Sequence, residues 1–139
     1  SETLDELRQI PSIICEGEWI NPTLETRKAI LNLLKRIPRG KWWSLKSFIV
    51  DVKEQNPDFQ RKAGEYDAWF IRRAADDVPL RGFEHWNEVE GALLRYFIGG
   101  VLYWLGVVDI AFSEEDGEIK DLFSCSNFRS CFRDLILPR

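Results

Sequence analysis

Residues 86–105 constrain this chain more than any other stretch. Trp86, Val89, Leu93, Tyr96 and Phe97 recur at helical spacing along one stripe, and Leu94, Ile98 and Val101 form a second. A surface helix carries a single apolar stripe and turns its other side to water. A helix apolar on two sides needs cover on both, so the rest of the chain must wrap around it. Asn87 and Glu90 have the spacing of a capping box at its start. Gly99-Gly100 predicts a kink or break, because adjacent glycines carry a high backbone entropy cost. Gly106 predicts a C-terminal cap.

The flanking segments read as follows. Val107–Phe112 has strand composition, Glu115-Asp116-Gly117 reads as a tight turn, and Glu118–Phe123 is the returning strand. Phe128, Cys131, Phe132 and Leu135 mark a last helix over about Ser126–Leu135. Upstream, Leu4, Leu7 and Ile10 predict a short helix ended by Pro11, and Ile13, Ile14 and Trp19 an extended segment. Asn21-Pro22 signals a helix start, with Asn as cap and Pro in the first helical position. Leu24, Ile30, Leu31, Leu34 and Ile37 mark its face, and Pro38 and Gly40 stop it. Trp42-Trp43 suits one short strand. Ser44 can cap a second helix bearing Leu45, Phe48, Ile49 and Val52, which Asn56-Pro57 ends.

Residues 57–84 read as an insertion with a weak hairpin. Ala68-Trp69-Phe70-Ile71 would be its strand and Ala74-Ala75-Asp76-Asp77 its turn, with Trp69 and Phe83 anchoring it. The order is helix, short strand, helix, insertion, long helix and two-stranded hairpin. That order predicts an α+β winged helix, a helix-turn-helix core with a hairpin wing, spanning residues 1–139 as one domain. The expected core comprises Leu31, Leu34, Phe48, Val52, Leu93, Phe97, Leu105, Val108 and Ile110.

The runs from Leu80 to Arg95 and from Tyr103 to Asp109, with Trp43–Arg61, carry a resemblance over roughly residues 40–112. They resemble winged-helix segments of large bacterial proteins, some helicase-associated or related to XPB-type helicases. The resemblance implies an accessory domain of a longer, helicase-like protein of bacterial type. It implies no catalytic residues, since neither a phosphate-binding Gly-Lys-Ser/Thr nor an Asp-Glu-x-His run occurs. The absence of Met and the start at Ser1 fit either a fragment of a longer chain or removal of an initiating methionine before Ser1.

The chemistry-bearing residues are few. Three Cys at scattered positions and a single His lack the paired spacing that zinc requires. They lack a disulfide framework too, and reduced thiols suit the cytoplasm. His85 has no nucleophilic partner in sequence, and no nucleophile elbow occurs. Glu84, Glu88 and Glu90, and the group Glu114, Glu115 and Asp116, read as solvated charge at a helix start and a turn. The expectation is therefore a non-catalytic domain with no cofactor, no metal and no membrane partner. No stretch of about 18 apolar residues occurs to span a bilayer.

Two partner classes remain. A recognition helix presents Arg, Lys, Asn or Gln to base edges. Here that slot opens with Glu84, Glu88 and Glu90, and the wing tip carries Glu114, Glu115, Asp116 and Glu118. Such charge repels a duplex, and the net charge of −4 adds to this. The expectation is docking to a protein partner or adjacent domain, with the wing residues Glu114, Glu115, Asp116 and Glu118 as the docking surface. The alternative is nucleic-acid contact through a basic face comprising Arg36, Arg39, Lys41, Arg72 and Arg73, interleaved with Trp42, Trp43 and Trp69.

Overall fold

The structure is a computed structural model that describes residues 5–17 and 21–125. The sequence-predicted helix over Ser126–Leu135 and the expected strand residue Trp19 lie outside these residues. The chain is a mixed α+β fold. Helix α1 (Glu6–Gln9) and strand β1 (Ile13–Cys15) open it, followed by α2 (Thr23–Leu34), β2 (Trp43–Ser44) and α3 (Leu45–Gln55). Strand β3 (Ile71–Arg73) follows after a 3₁₀ turn, Pro57–Phe59. A continuous helical run then crosses the molecule over residues 83–104. It holds a 3₁₀ turn at Phe83–His85, π turns at Asn87–Gly91 and Phe97–Leu102, and α4 (Ala92–Tyr96) between them. Strands β4 (Val108–Glu115) and β5 (Glu118–Cys125) complete the described chain.

Local chemistry accounts for most boundaries. The Ser44 hydroxyl accepts from the Ser47 amide at 3.2 Å and starts α3. The long helix ends in a Schellman turn. Gly106 adopts φ +73° and donates to Tyr103, and Val107 donates back to Leu102 at 2.9 Å. Leu102 and Val107, the pair this turn brings together, are both buried, whereas Leu105 is left 41% exposed, contrary to expectation. Asp116 and Gly117 both take positive φ, 52° and 80°, making a two-residue type I′ turn.

Three further expectations need correction. Helix α2 begins at Thr23, with Pro22 in the flanking position and no side-chain cap. Asn21 instead donates to Asp5 at 2.6 Å and accepts from Gln60 at 2.6 Å, tying three distant segments together. No capping box forms at Asn87 and Glu90, because Glu90 points inward. Gly99-Gly100 does not break the helix, which passes through them as a π turn.

The sheets are antiparallel. The larger has order β2-β5-β4, with Trp43 opposite Phe123 and β4 running alongside β5 from Val108↔Cys125 to Glu115↔Glu118. The smaller pairs β1 with β3, through Ile13↔Arg73 and Cys15↔Ile71. The strand expected at 68–71 is thus displaced toward 71–73, and its turn at 74–77 returns through Val78 to Leu80. Segment 57–84 is held by Trp69, Ile71 and Leu80, all buried. Phe83 is 45% exposed, leaning edge-on against Tyr66 with centroids 5.5 Å apart and sitting under the Lys53 ammonium, so it is not the buried anchor expected.

The core follows the two stripes of the long helix. Trp86, Val89, Leu93, Leu94, Phe97, Ile98 and Leu102 are buried. Leu31, Leu34 and Val52 pack in the same cluster with Val108, while Phe48 and Ile110 are partly covered. The Trp86 indole donates to the Pro57 carbonyl at 2.8 Å, giving its buried N–H a partner.

Candidate interaction surface

The β4–β5 hairpin grows out of the core as a strip with two faces. On one face Val108, Ile110, Phe112 and Glu114 stand opposite Cys125, Phe123, Asp121 and Ile119. At the base this face is sealed: Phe123 is fully buried and meets Phe48 of α3 edge-on at 5.5 Å. Further out the same row emerges from the body. Phe112 is 72% exposed and Ile119 71%. Arg95 of α4 reaches Asp121 at 3.5 Å, and a recess of about 220 Å³ opens between the hairpin and the start of α3, lined by Lys46, Arg95 and Ile119.

The tip is acidic. Lys120 meets Glu115 at 2.7 Å and holds that carboxyl below the ordinary carboxylate range. Glu114, Asp116 and Glu118 stand exposed around this pair. The four acidic side chains singled out from the sequence thus sit together at the end of the hairpin, beside two apolar side chains that sequence reasoning passed over. The signal for those two was available, because the turn position sets the register that puts Phe112 and Ile119 on one face.

The five basic residues singled out from the sequence fall into two environments. Arg72 and Arg73 lie on β3 and are half-buried in ion pairs. Arg72 bonds Glu16 at 2.9 Å and also contacts Asp77. Arg73 bonds Asp76 at 2.9 Å and Glu88 at 2.7 Å. The Arg73 guanidinium, with help from His85, holds the Glu88 carboxyl down at about 2. Arg36, Arg39 and Lys41 lie in the connection from α2 to β2, exposed beside the exposed Trp42, with no ion pair among the described residues. An open groove of about 460 Å³, lined by Asn32, Arg36, Gln55 and Phe59, runs beside Arg36.

Sequence reasoning took Glu90 as solvated charge, and the structure overturns this. Glu90 is fully buried, and its carboxylate accepts from Arg61 Nε at 2.9 Å and Nη2 at 2.6 Å. The remaining guanidinium nitrogen donates to the carbonyls of Leu80 and Tyr66, and the Tyr66 ring lies 4.9 Å away. Burial raises the Glu90 carboxyl above its ordinary value, against the pull of Arg61. The pair's polar atoms are fully partnered, which makes it a structural clasp between segment 57–84 and the long helix. No local pattern announces it, since the partners are far apart in sequence.

His85 Nδ1 lies 3.4 Å from Glu88 and Nε2 3.7 Å from Glu84, a contact within one helix start. Burial pushes the Cys15 thiol up to about 11 and raises Cys125 as well, so both stay protonated near neutrality. Among the described residues no cluster of three or more His, Cys, Asp or Glu could hold a metal ion. Nor is any of their helices long and apolar enough to cross a membrane. Cys131 lies outside the described residues. No protein-family model, curated protein or solved structure matches this chain.

Proposed function

We propose that this chain is a winged-helix interaction domain that performs no chemistry itself and docks a protein partner, or a neighbouring domain, through its acidic wing. Two features support the winged-helix reading. The order α2, β2, α3, long helix, β4, β5 matches that layout, and the sheet order β2-β5-β4 puts the short strand against the last one, as a wing requires. The docking reading rests on one observation: Phe112 and Ile119 stand exposed among Glu114, Asp116 and Glu118 at the end of the hairpin. Apolar side chains ringed by charge are a common feature of protein contact sites. The same carboxylates repel phosphate.

A second reading, nucleic-acid contact through Arg36, Arg39 and Lys41, is favoured by their exposure beside Trp42. Arg72 and Arg73 lend it little, because acidic neighbours already hold them. Titration with duplex and single-stranded DNA at low and physiological salt separates the two. On the docking reading, duplex affinity at physiological salt is weaker than the roughly 10⁻⁴–10⁻⁶ M of non-specific binders. Any low-salt binding falls steeply with salt and disappears when Arg36 and Arg39 are changed to Ala. Tight duplex binding that survives physiological salt overturns the docking reading.

A further inference from the structure

Strand β4 is the outer strand of its sheet, and among the described residues nothing pairs with its far edge. The two-residue turn determines which backbone groups that edge offers. A type I′ loop closes on a hydrogen-bonded pair, here Glu115 and Glu118. Alternation then directs the N–H and C=O groups of Ile110, Phe112 and Glu114 away from β5. These groups form a template for another strand.

Natural edges are usually blocked by Pro, Lys, a bulge or shortness. Strand β4 is eight residues long and has neither Pro nor Lys. Its register with β5 runs without a bulge from Val108 to Glu115. What it does carry is negative charge and apolar side chains. Asp109, Glu114 and Glu115 lie on β4, with Asp116, Glu118 and Asp121 on the turn and β5. The side chain whose own backbone groups face the open edge, Phe112, is also the most exposed apolar one on the hairpin.

We propose that the β4 edge accepts an extended segment of a protein partner, in which Lys or Arg alternates with β-branched or aromatic residues, as an added antiparallel strand. This rests on the docking reading above and names the partner's chemistry. Main-chain hydrogen bonds to Ile110, Phe112 and Glu114 supply the pairing. Apolar side chains on one face of the added strand cover Phe112, and basic side chains on the other meet Asp109 and Glu115. The charge pattern selects against a second copy of this chain. Two β4 strands paired antiparallel about Phe112 would set Asp109 of each directly against Glu115 of the other, and like charges directly opposite are destabilising.

The test uses the protein with synthetic octapeptide probes, followed by amide NMR. One probe alternates Lys with Val and Ile. A second has the same composition with Lys and apolar residues in separate blocks, and a third replaces Lys by Glu. The expected result is saturable binding of the alternating basic probe, with the largest amide shifts at Ile110, Phe112 and Glu114. Binding falls at least tenfold for the blocked probe and is lost for the acidic one.

Phe112→Pro deletes an outward-facing N–H while sparing the ladder to β5, and it is expected to abolish the binding. Phe112→Lys keeps the backbone intact and is expected to weaken it about tenfold, so the proposal stays testable if the proline variant fails to fold. Equal binding of the alternating and blocked probes, both lost on Glu114→Lys with Glu115→Lys, overturns strand addition but leaves the docking reading standing. No shift on the hairpin with any probe, together with salt-resistant duplex binding, overturns both.

Discussion

Arg61 and Glu90 show how a single side chain can be misread from its neighbours. Glu90 follows Trp86 and Val89 on the inner side of the helix start, where a π turn carries it into the core. A carboxylate there is tolerable only because a guanidinium arrives from segment 57–84 with matched geometry. Removing one member of such a pair leaves an uncompensated buried charge, which typically costs about 3–5 kcal/mol. Glu90→Ala is therefore expected to lower unfolding stability by about that amount in urea titration. Replacing both members together, Arg61→Met with Glu90→Leu, recovers part of the loss, because an apolar pair has no charge to desolvate but leaves the Leu80 carbonyl without its Arg61 donor.

The long helix and its exit turn make opposite demands on their glycines. At Gly99 and Gly100 the backbone is helical, and a Cβ would meet nothing within 4 Å. Alanine there restricts the unfolded chain without strain, so Gly99→Ala and Gly100→Ala are each expected to raise stability by about 0.5–1 kcal/mol. Gly106 also has open space around it, but its φ of +73° disfavours any side chain. Gly106→Ala is expected to lower stability by about 1–2 kcal/mol. Thermal unfolding of the three variants checks both signs. Spacing alone predicted the helix and its C-cap. It could not predict that the glycine pair would be absorbed into a π turn, because that depends on Phe97, Ile98 and Leu102 all reaching the core at once.

At the scale of the molecule, segment 57–84 is part of the core. Ile71 and Leu80 join the same buried cluster as Leu7, Ile13, Leu34 and Phe97. Strand β3 exists as a ladder only because β1 lies beside it. A segment bound this way unfolds with the rest. Leu80→Ala is accordingly expected to cost about 2–5 kcal/mol, the usual range for a buried leucine, and as much as Leu34→Ala. In both variants urea should yield one transition, with tryptophan fluorescence and far-ultraviolet circular dichroism coinciding. Separate transitions for the two probes would mean that the segment folds independently.

The hairpin, the capped α3, the Schellman exit and the two-sided helix were legible in the chain itself, because each depends on residues within a few positions of one another. Asp116-Gly117 set the register of sixteen paired residues, and with it the face shared by Phe112 and Ile119. Contacts between segments remote in sequence were decided only by the tertiary structure. The inward Glu90, the neutralised Arg72 and Arg73, the bridging Asn21 and the exposed Leu105 and Phe83 all belong to that class. Charge and hydropathy along a chain report what a side chain can do. Whether a carboxylate meets water or a guanidinium depends on which distant segment folds against it, and one sequence carries no local record of that choice.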